Sequence, residues 1–331
     1  MLPTGMEMFL LAAEEMSFTR AAERAFVSQQ CLSDHIRRLE ETYHVVLFQR
    51  KPRLQLTPEG QTMLKYLVRV RALMDDMTNE LADISQGTRG MIRFGIGATR
   101  GSIVIPKLIP AFQERFPNVD VTVHTKDTHG LEQMFLNGQL DVFLGVDAIQ
   151  HALFRRTPLY RDSMYLVISD RLMRSRFPDS YGEKLEEFRR GADLNDLLDI
   201  PFVQGSSPST STYAVSQFLL KHSIQLKIPI MVSDFDVLAE LCMSGNYATI
   251  TPHFHLRRLM DGANRLSPQI HVFPIKGWTQ KLPVEIITLR DGRLPAHTAA
   301  FTEMLRDVLL SEHAAVDDCL EREGLSRPTG P

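Results

Sequence analysis

The chain has 331 residues, enough for two or three domains, and its 44% hydrophobic and 23% charged residues are typical of a globular protein. A formal net charge of −3 excludes a chain that is basic throughout, so a nucleic-acid-binding site must be a local basic patch. Three distant cysteines, short apolar runs and the lack of a leader pattern predict a cytoplasmic protein without disulfides or a membrane partner.

The first forty residues predict three short helices. Apolar residues at helical spacing indicate the first. Thr19 is placed to cap the second, where Ala22 and Ala25 are small enough to let two helices cross closely. Ser28 is placed to cap the third, after a turn in which Val27 points inward.

The third helix has one apolar and one polar face. Leu32, Ile36 and Leu39 recur at i, i+4 and i+7 and form a stripe to be buried. The polar face carries Gln29, Gln30, Ser33, Asp34, Arg37 and Arg38. Such residues can contact base edges or bind phosphate, as in a helix-turn-helix. Each of the two arginines could do either. A solvated helix in a small bundle would show the same pattern.

A basic hairpin follows and favours DNA over a simple bundle. The stretch "VVLFQRKPRLQLT" alternates apolar and polar residues around a Lys-Pro turn, which predicts two short strands. Residues 17–53 contain seven basic and four acidic residues. A recognition helix followed by a basic wing predicts a winged helix-turn-helix over residues 1–57. The predicted DNA-binding residues are Thr19, Arg20, Ser28, Gln29, Gln30, Ser33, Asp34, Arg37, Arg38, Arg50, Lys51 and Arg53.

A long helix is predicted over residues 58–86. It begins at Thr57-Pro58-Glu59, which supplies a cap, a proline in the first turn and an early acid. Its apolar positions are alternately four and three residues apart, at Met63, Leu67, Val70, Met74, Met77, Leu81 and Ile84. This heptad pattern predicts a dimerising coiled coil, followed by a hinge at residues 87–90.

The N-terminal region resembles the LysR-type transcriptional regulators. The F-T-R-A-A-E-R run, the S-Q pair, the R-R-L-E run, the L-F-x-R wing and the L-T-x-x-G sequence follow one another in that family's order. Gln30, Cys31 and His35 depart from its usual residues, so the operator sequence cannot be transferred from relatives. The resemblance implies a regulator that binds double-stranded DNA with dyad-symmetric half-sites, responds to a small-molecule effector, forms homodimers and homotetramers, and contacts RNA polymerase.

Residues 91–310 alternate predicted strands and helices. Their βαβαβ order predicts an α/β domain with a parallel sheet. The resemblance implies a two-subdomain, periplasmic-binding-protein-like effector domain, with subdomain I at 91–165 and 271–310 and subdomain II at 166–270. We expect crossings near residues 165–169 and 271–273, and a mobile tail at 311–331.

Small ligands in such folds bind between the subdomains, where strands end and helices begin. The candidate effector-binding residues are Thr99, Arg100, Ser102, Thr128, Gln204 and Ser206. Hydroxyls, helix amides and the Arg100 cation would suit a small anion or carboxylate. Alternatively, Thr99 only caps a helix and Arg100 extends into water. The resemblance favours the ligand site for Thr99 and Ser102.

Other kinds of site find little support. His253 and His255 are too few for a metal site, and neither a nucleotide-binding loop nor a set of nucleophile and base is present, so we expect no metal, no cofactor and no enzyme. Two further hypotheses are an enzyme with a DNA-binding appendage and a solute-binding module whose N-terminal helices only dimerise it. A transcriptional regulator remains the leading interpretation.

Overall fold

The computed structural model describes residues 2–49, 53–86, 90–206, 209–260, 266–267, 269–290 and 294–325. The α-helices there are α1 (Thr4–Glu15), α2 (Phe18–Arg24), α3 (Gln29–Tyr43), α4 (Pro58–Gln86), α5 (Ala98–Arg115), α6 (Thr128–Leu136), α7 (Asp170–Arg176), α8 (Tyr181–Gly191), α9 (Thr210–Lys221), α10 (Phe235–Met243) and α11 (Ala296–Arg322). The strands are β1 (Phe48–Gln49), β2 (Gln55–Leu56), β3 (Gly90–Ile96), β4 (Val119–Thr125), β5 (Val142–Val146), β6 (Phe154–Asp162), β7 (Met164–Ser169), β8 (Pro201–Gly205), β9 (Lys227–Val232), β10 (Thr249–Pro252), β11 (Ile270–Pro274) and β12 (Leu282–Leu289). Short 3-10 helices span Leu194–Leu197 and His253–Leu259. None of the described helices is long and apolar enough to cross a membrane.

The N-terminal domain is the predicted winged helix-turn-helix. Helices α1, α2 and α3 pack on one another, and the predicted stripe of α3 is buried in their shared core. Ser28 caps α3 as predicted, since its hydroxyl accepts from the Cys31 amide at 3.1 Å. The predicted cap at Thr19 is wrong. Helix α2 begins earlier because Phe18 packs edge-on against Phe48 in the core, which leaves Ser17 to cap it.

The wing is fixed to the recognition helix and to α4. Strands β1 and β2 pair antiparallel, and the Leu47 amide before β1 donates to the Glu40 carboxylate of α3 at 2.7 Å. Thr57 caps α4 by accepting from the Gly60 amide at 3.0 Å. A Cβ at Gly60 would lie 2.2 Å from the Leu47 carbonyl oxygen, so only glycine allows this close approach.

Helix α4 forms as predicted, but its heptad residues do not all face a partner. Met63, Leu67 and Met74 pack against the core of their own winged domain, because three short helices leave one face of that core open. Leu67 is therefore unavailable to a partner helix, and Met63 and Met74 are only partly exposed. The outward stripe is Tyr66, Val70, Leu73 and Met77, which are 56%, 39%, 58% and 51% exposed. The side chains of Leu81 and Ile84, and hinge residues 87–89, lie outside the described part of the chain.

The C-terminal region consists of two α/β subdomains. Subdomain I has a five-stranded sheet in the order β4-β3-β5-β12-β6. Strand β3 is parallel to β4 and β5, as predicted, whereas β12 runs antiparallel to β5 and β6. Subdomain II contains the sheet β10-β7-β11 and the parallel pair β8-β9. Each subdomain has its own core.

The crossings lie a few residues away from their predicted positions. Strand β6 belongs to subdomain I and β7 to subdomain II, so the chain first crosses at Ser163. Strand β11 also belongs to subdomain II, so the return crossing lies in residues 275–281. Strands β7 and β11, which contain the predicted crossing positions, pair with each other within subdomain II, with Ile270 opposite Ser169.

The predicted mobile tail is wrong for residues 311–325. Helix α11 continues through residue 322, and its buried residues serve both subdomains. Phe301 and Leu305 lie in the core of subdomain I, whereas Val316 and Leu320 lie in that of subdomain II. The stretch is polar on average, which led to the prediction of a mobile tail, but its few apolar residues recur at helical spacing and are buried. Residues 326–331 lie outside the described part of the chain.

We predict that Leu320→Ala destabilises the protein by about 2–5 kcal/mol, because it opens a cavity in the core of subdomain II. Chemical unfolding would measure this change in free energy. Asp318→Ala is the control, since Asp318 is exposed on the same turn of α11. Equal, small effects of both substitutions would show that this part of α11 does not stabilise the core.

Candidate functional site

Helix α3 presents its predicted polar face to solvent. Ser28, Gln29, Gln30, Arg37 and Arg38 are exposed, and Ser33 and Asp34 are half-buried. The Arg37 guanidinium pairs with the Asp34 carboxylate at 3.2 Å, which offsets its charge. Arg38 makes no ion pair with any residue that the structure describes, so its charge is available to a phosphate.

The start of α2 lies beside the start of α3. The Thr19 hydroxyl donates to the Gln29 side-chain oxygen at 3.4 Å, which brings two predicted DNA-binding residues together. Arg20 is exposed but donates to the Glu15 carbonyl at 2.5 Å. On the wing, Arg53 is exposed, and Arg50 and Lys51 lie outside the described residues.

A polar junction that the sequence did not predict joins the winged domain to subdomain I. Arg71 of α4 donates to the Asn137 carbonyl at 2.6 Å and lies 3.4 Å from the Glu14 carboxylate of α1. Gln139 and Arg24 donate to the same carboxylate at 3.3 and 2.8 Å. The Glu14 side chain is 3% exposed, so its contacts form in a largely dry interface.

A cavity of about 350 Å³ lies between the two subdomains. Of the predicted effector-binding residues, Thr99, Arg100, Thr128 and Gln204 line it. Ser102 lies outside its wall, and its hydroxyl donates to the Thr99 carbonyl at 2.9 Å. Ser206 also lies outside, at the exposed end of β8.

Arg100 is not the free cation that the sequence suggested. Its guanidinium forms an ion pair with Asp162, which is completely buried, and Arg100 itself is only 7% exposed. Burial raises the pKa of the neighbouring Tyr160, which is therefore neutral. The Arg100 charge is largely balanced, although its Nε atom has no hydrogen-bond partner among the described residues.

Helix α5 begins at the cavity, and no side-chain cap accepts hydrogen bonds from the N–H groups of its first turn. Its N-cap is Gly97, which has no side chain to accept from the first amides. The other helices that begin at the cavity are α6, α9 and α10, and each has a side-chain cap, at Asp127, Ser209 and Asp234. The first turn of α5 is therefore the best-suited place for an anionic group.

Most of the remaining cavity wall was not predicted. Its apolar part includes Phe202, Val215, Leu219, Leu226, Ile228 and Leu238. Thr251 Oγ1 and His255 Nδ1 also lie in the wall, buried and without partners among the described residues. Burial and the charge of Arg100 lower the pKa of His255 well below its usual value, so the imidazole is neutral. The apolar wall residues could not be predicted from the sequence, because an apolar side chain that lines a cavity has the same sequence pattern as one that packs in a core.

Comparison with known proteins identifies the class. Residues 4–61 match the model of the bacterial regulatory helix-turn-helix protein, lysR family, and residues 85–310 match that of the LysR substrate binding domain. The chain therefore belongs to the LysR family of transcriptional regulators. It is a DNA-binding regulator and not an enzyme, as the sequence predicted.

Individual relatives agree with this assignment. The chain is 30% identical over 264 residues to the uncharacterised HTH-type transcriptional regulator YcgK of Bacillus subtilis, covering 78% of this chain and 82% of that protein. It is 26% identical over 239 residues to a probable RuBisCO transcriptional regulator of Gracilaria tenuistipitata, covering 70% and 74%. Full-length OxyR of Pseudomonas aeruginosa has the same fold, with a TM-score of 0.60, 21% identity and coverage of 93% and 94%.

We predict that Cys31 is the thiol most readily alkylated in the native protein. It lies half-buried on α3, whereas Cys242 and Cys319 are buried, and burial raises the pKa of Cys242 to about 12. Mass spectrometry after timed iodoacetamide treatment would measure all three rates. A DNA fragment that the protein selects should slow the reaction of Cys31, and Cys31→Ala is the control. An unchanged Cys31 rate with bound DNA would contradict the placement of DNA on α3.

Proposed function

We propose that the chain reads a specific operator with the N-terminal half of α3. The observation that carries this proposal is the exposed polar face of α3 above a fully buried apolar stripe. In this proposal Gln30 and Ser33 form hydrogen bonds with base edges. Arg38, Arg20 and the wing contact the DNA phosphates. Because the matching helix-turn-helix model is that of a bacterial regulatory protein, whose DNA lies in the cytoplasm, we place the protein there.

The stripe of Tyr66, Val70, Leu73 and Met77 supports a dimer. Its steps of four, three and four residues suit a coiled-coil seam between two α4 helices. Such a dimer presents two α3 helices to successive major grooves, which requires half-sites related by a dyad. We propose further assembly into a homotetramer and contact with RNA polymerase from the family resemblance alone.

The cavity supports an amphipathic effector. A carboxylate would accept from the free amides of α5 and from Thr99, and an apolar body would contact the wall from Val215 to Leu238. Arg100 contributes a hydrogen-bond donor more than a net charge, because Asp162 balances it. An aromatic or branched aliphatic monocarboxylate matches one polar end and one apolar wall better than a small hydrophilic anion does.

The Glu14 junction offers a path from the effector cavity to the DNA-binding surface. Asn137 and Gln139 follow α6, whose first residue, Thr128, lines the cavity. A ligand that moves α6 would change the contacts of Asn137 and Gln139 with Arg71 and Glu14. We propose that effector binding alters the orientation of the winged domain through these contacts.

We predict that two substitutions on α3 have different effects on a fragment selected from genomic DNA. Gln30→Ala should weaken binding by about 1–3 kcal/mol and relax sequence preference at one position of each half-site. Arg38→Ala should weaken binding to all sequences and reduce the salt dependence by about one phosphate contact. Equilibrium titrations at two salt concentrations would measure both effects.

The control for this comparison is Arg115→Ala, which removes an exposed cation from α5, away from α3. It should leave DNA affinity unchanged. A loss as large as that of Arg38→Ala would indicate an unspecific effect of net charge. Full affinity in both α3 variants would contradict the proposed surface.

We predict that calorimetry finds an aromatic or branched aliphatic monocarboxylate among the ligands of the protein. Thr99→Val should weaken its binding about tenfold, because it removes one hydroxyl donor and keeps the side-chain shape. Ser102→Ala is the matched control, since that hydroxyl is on the same turn but outside the cavity. Binding limited to small hydrophilic acids, or equal losses in both variants, would contradict the proposed effector class.

A further inference from the structure

Three side chains with metal-binding chemistry meet behind the cavity wall. Asp162 ends β6, His253 begins a 3-10 helix and His313 lies on α11. One potential ligand atom from each lies within 4.8 Å of the others. They come from distant parts of the chain, which explains why the sequence offered only the neighbouring pair of histidines and no metal site.

Two of these groups have buried atoms without partners. Asp162 is completely buried; one of its oxygens pairs with Arg100, and the other, Oδ1, has no hydrogen-bond partner among the described residues. The same holds for both ring nitrogens of His253, which is 4% exposed, although Nε2 lies 3.0 Å from an Asp317 oxygen. Buried polar atoms are normally satisfied, so these atoms have unused capacity to bind a hydrogen-bond partner or an ion.

The Asp317 carboxylate lies beside both imidazoles. One carboxylate oxygen lies 3.0 Å from His253 Nε2, and the other lies 3.3 Å from His313 Nδ1. Binding of an ion through His253 Nδ1 and His313 Nε2 would leave the N–H groups of the two rings on the side of this carboxylate. A carboxylate on the far side of a histidine is the usual support of a metal-bound imidazole, because it fixes the tautomer and the ring orientation.

We propose that Asp162, His253 and His313 bind a divalent first-row transition-metal ion such as Zn²⁺ or Co²⁺. Two imidazoles and one carboxylate suit these ions, whereas Mg²⁺ and Ca²⁺ prefer oxygen ligands alone. At this cluster two carboxylates, Asp162 and Asp317, face one permanent cation, Arg100, which favours the binding of a further cation. Bonds of about 2.1 Å require the ligand atoms to approach one another by roughly an ångström.

The proposed metal site lies between the cores of the two subdomains. Next to His253, Phe254 packs in the core of subdomain I and Leu256 in that of subdomain II. On α11, His313 lies between the residues that serve the first core and those that serve the second. A bound ion therefore holds the subdomains in this arrangement and shares the Asp162 carboxylate with Arg100, which lines the cavity.

The test uses the untagged, full-length protein after removal of metal with a chelator. Titration with Co²⁺ should give visible absorption bands that saturate at one ion per chain and disappear when Zn²⁺ is added. His313→Ala should weaken binding by more than about 100-fold, and Asp317→Asn by about 10–100-fold. His129→Ala is the control, since that imidazole is 78% exposed on α6 and should leave the titration unchanged.

Circular dichroism of the metal-free variants separates loss of the site from loss of the fold. If His313→Ala does not fold, His313→Gln tests the same ligand while keeping more of its packing. Absence of saturable Co²⁺ binding to the wild-type protein would overturn the proposal. So would a titration that stays unchanged in a folded His313 variant.

Discussion

The buried ion pair between Arg100 and Asp162 determines how the regulatory domain is arranged. Arg100 is in the first turn of α5, at the cavity between the subdomains, and Asp162 is the residue before the first crossing between them. Losing one partner of a buried ion pair costs about 3–5 kcal/mol, because the other charge stays in a medium of low polarity. The pair therefore holds the start of α5, the end of β6 and the crossing together.

The same pair explains the character of the cavity. Because Asp162 balances Arg100, the cavity has no unbalanced positive charge deep in its wall, and its positive features are the uncapped start of α5 and the exposed Lys126. The opposite wall is apolar. A ligand with one charged end and an apolar body can contact both the start of α5 and the apolar wall. Its binding energy would come mainly from the burial of apolar surface.

The sequence predicted what depends on local patterns. The stripe of α3, the cap at Ser28, the wing and the parallel pairing of β3 with β4 and β5 follow from spacing, capping preferences and the alternation of strands with helices. Contacts between distant residues were not predictable in this way. Nothing near Arg100 in the sequence indicates Asp162, and nothing in the polar tail shows that Leu320 reaches a second core. The heptad on α4 was visible, but which of two stripes faces outward depends on where the winged domain packs.

We infer that DNA binds to α3. Hydrogen–deuterium exchange of the full-length protein, with and without a selected DNA fragment, tests it most directly. We expect slower exchange for the amides at the start of α3 and for the wing, because bound DNA excludes water there. Protection confined to the regulatory domain, with unchanged exchange across α3, would contradict the account.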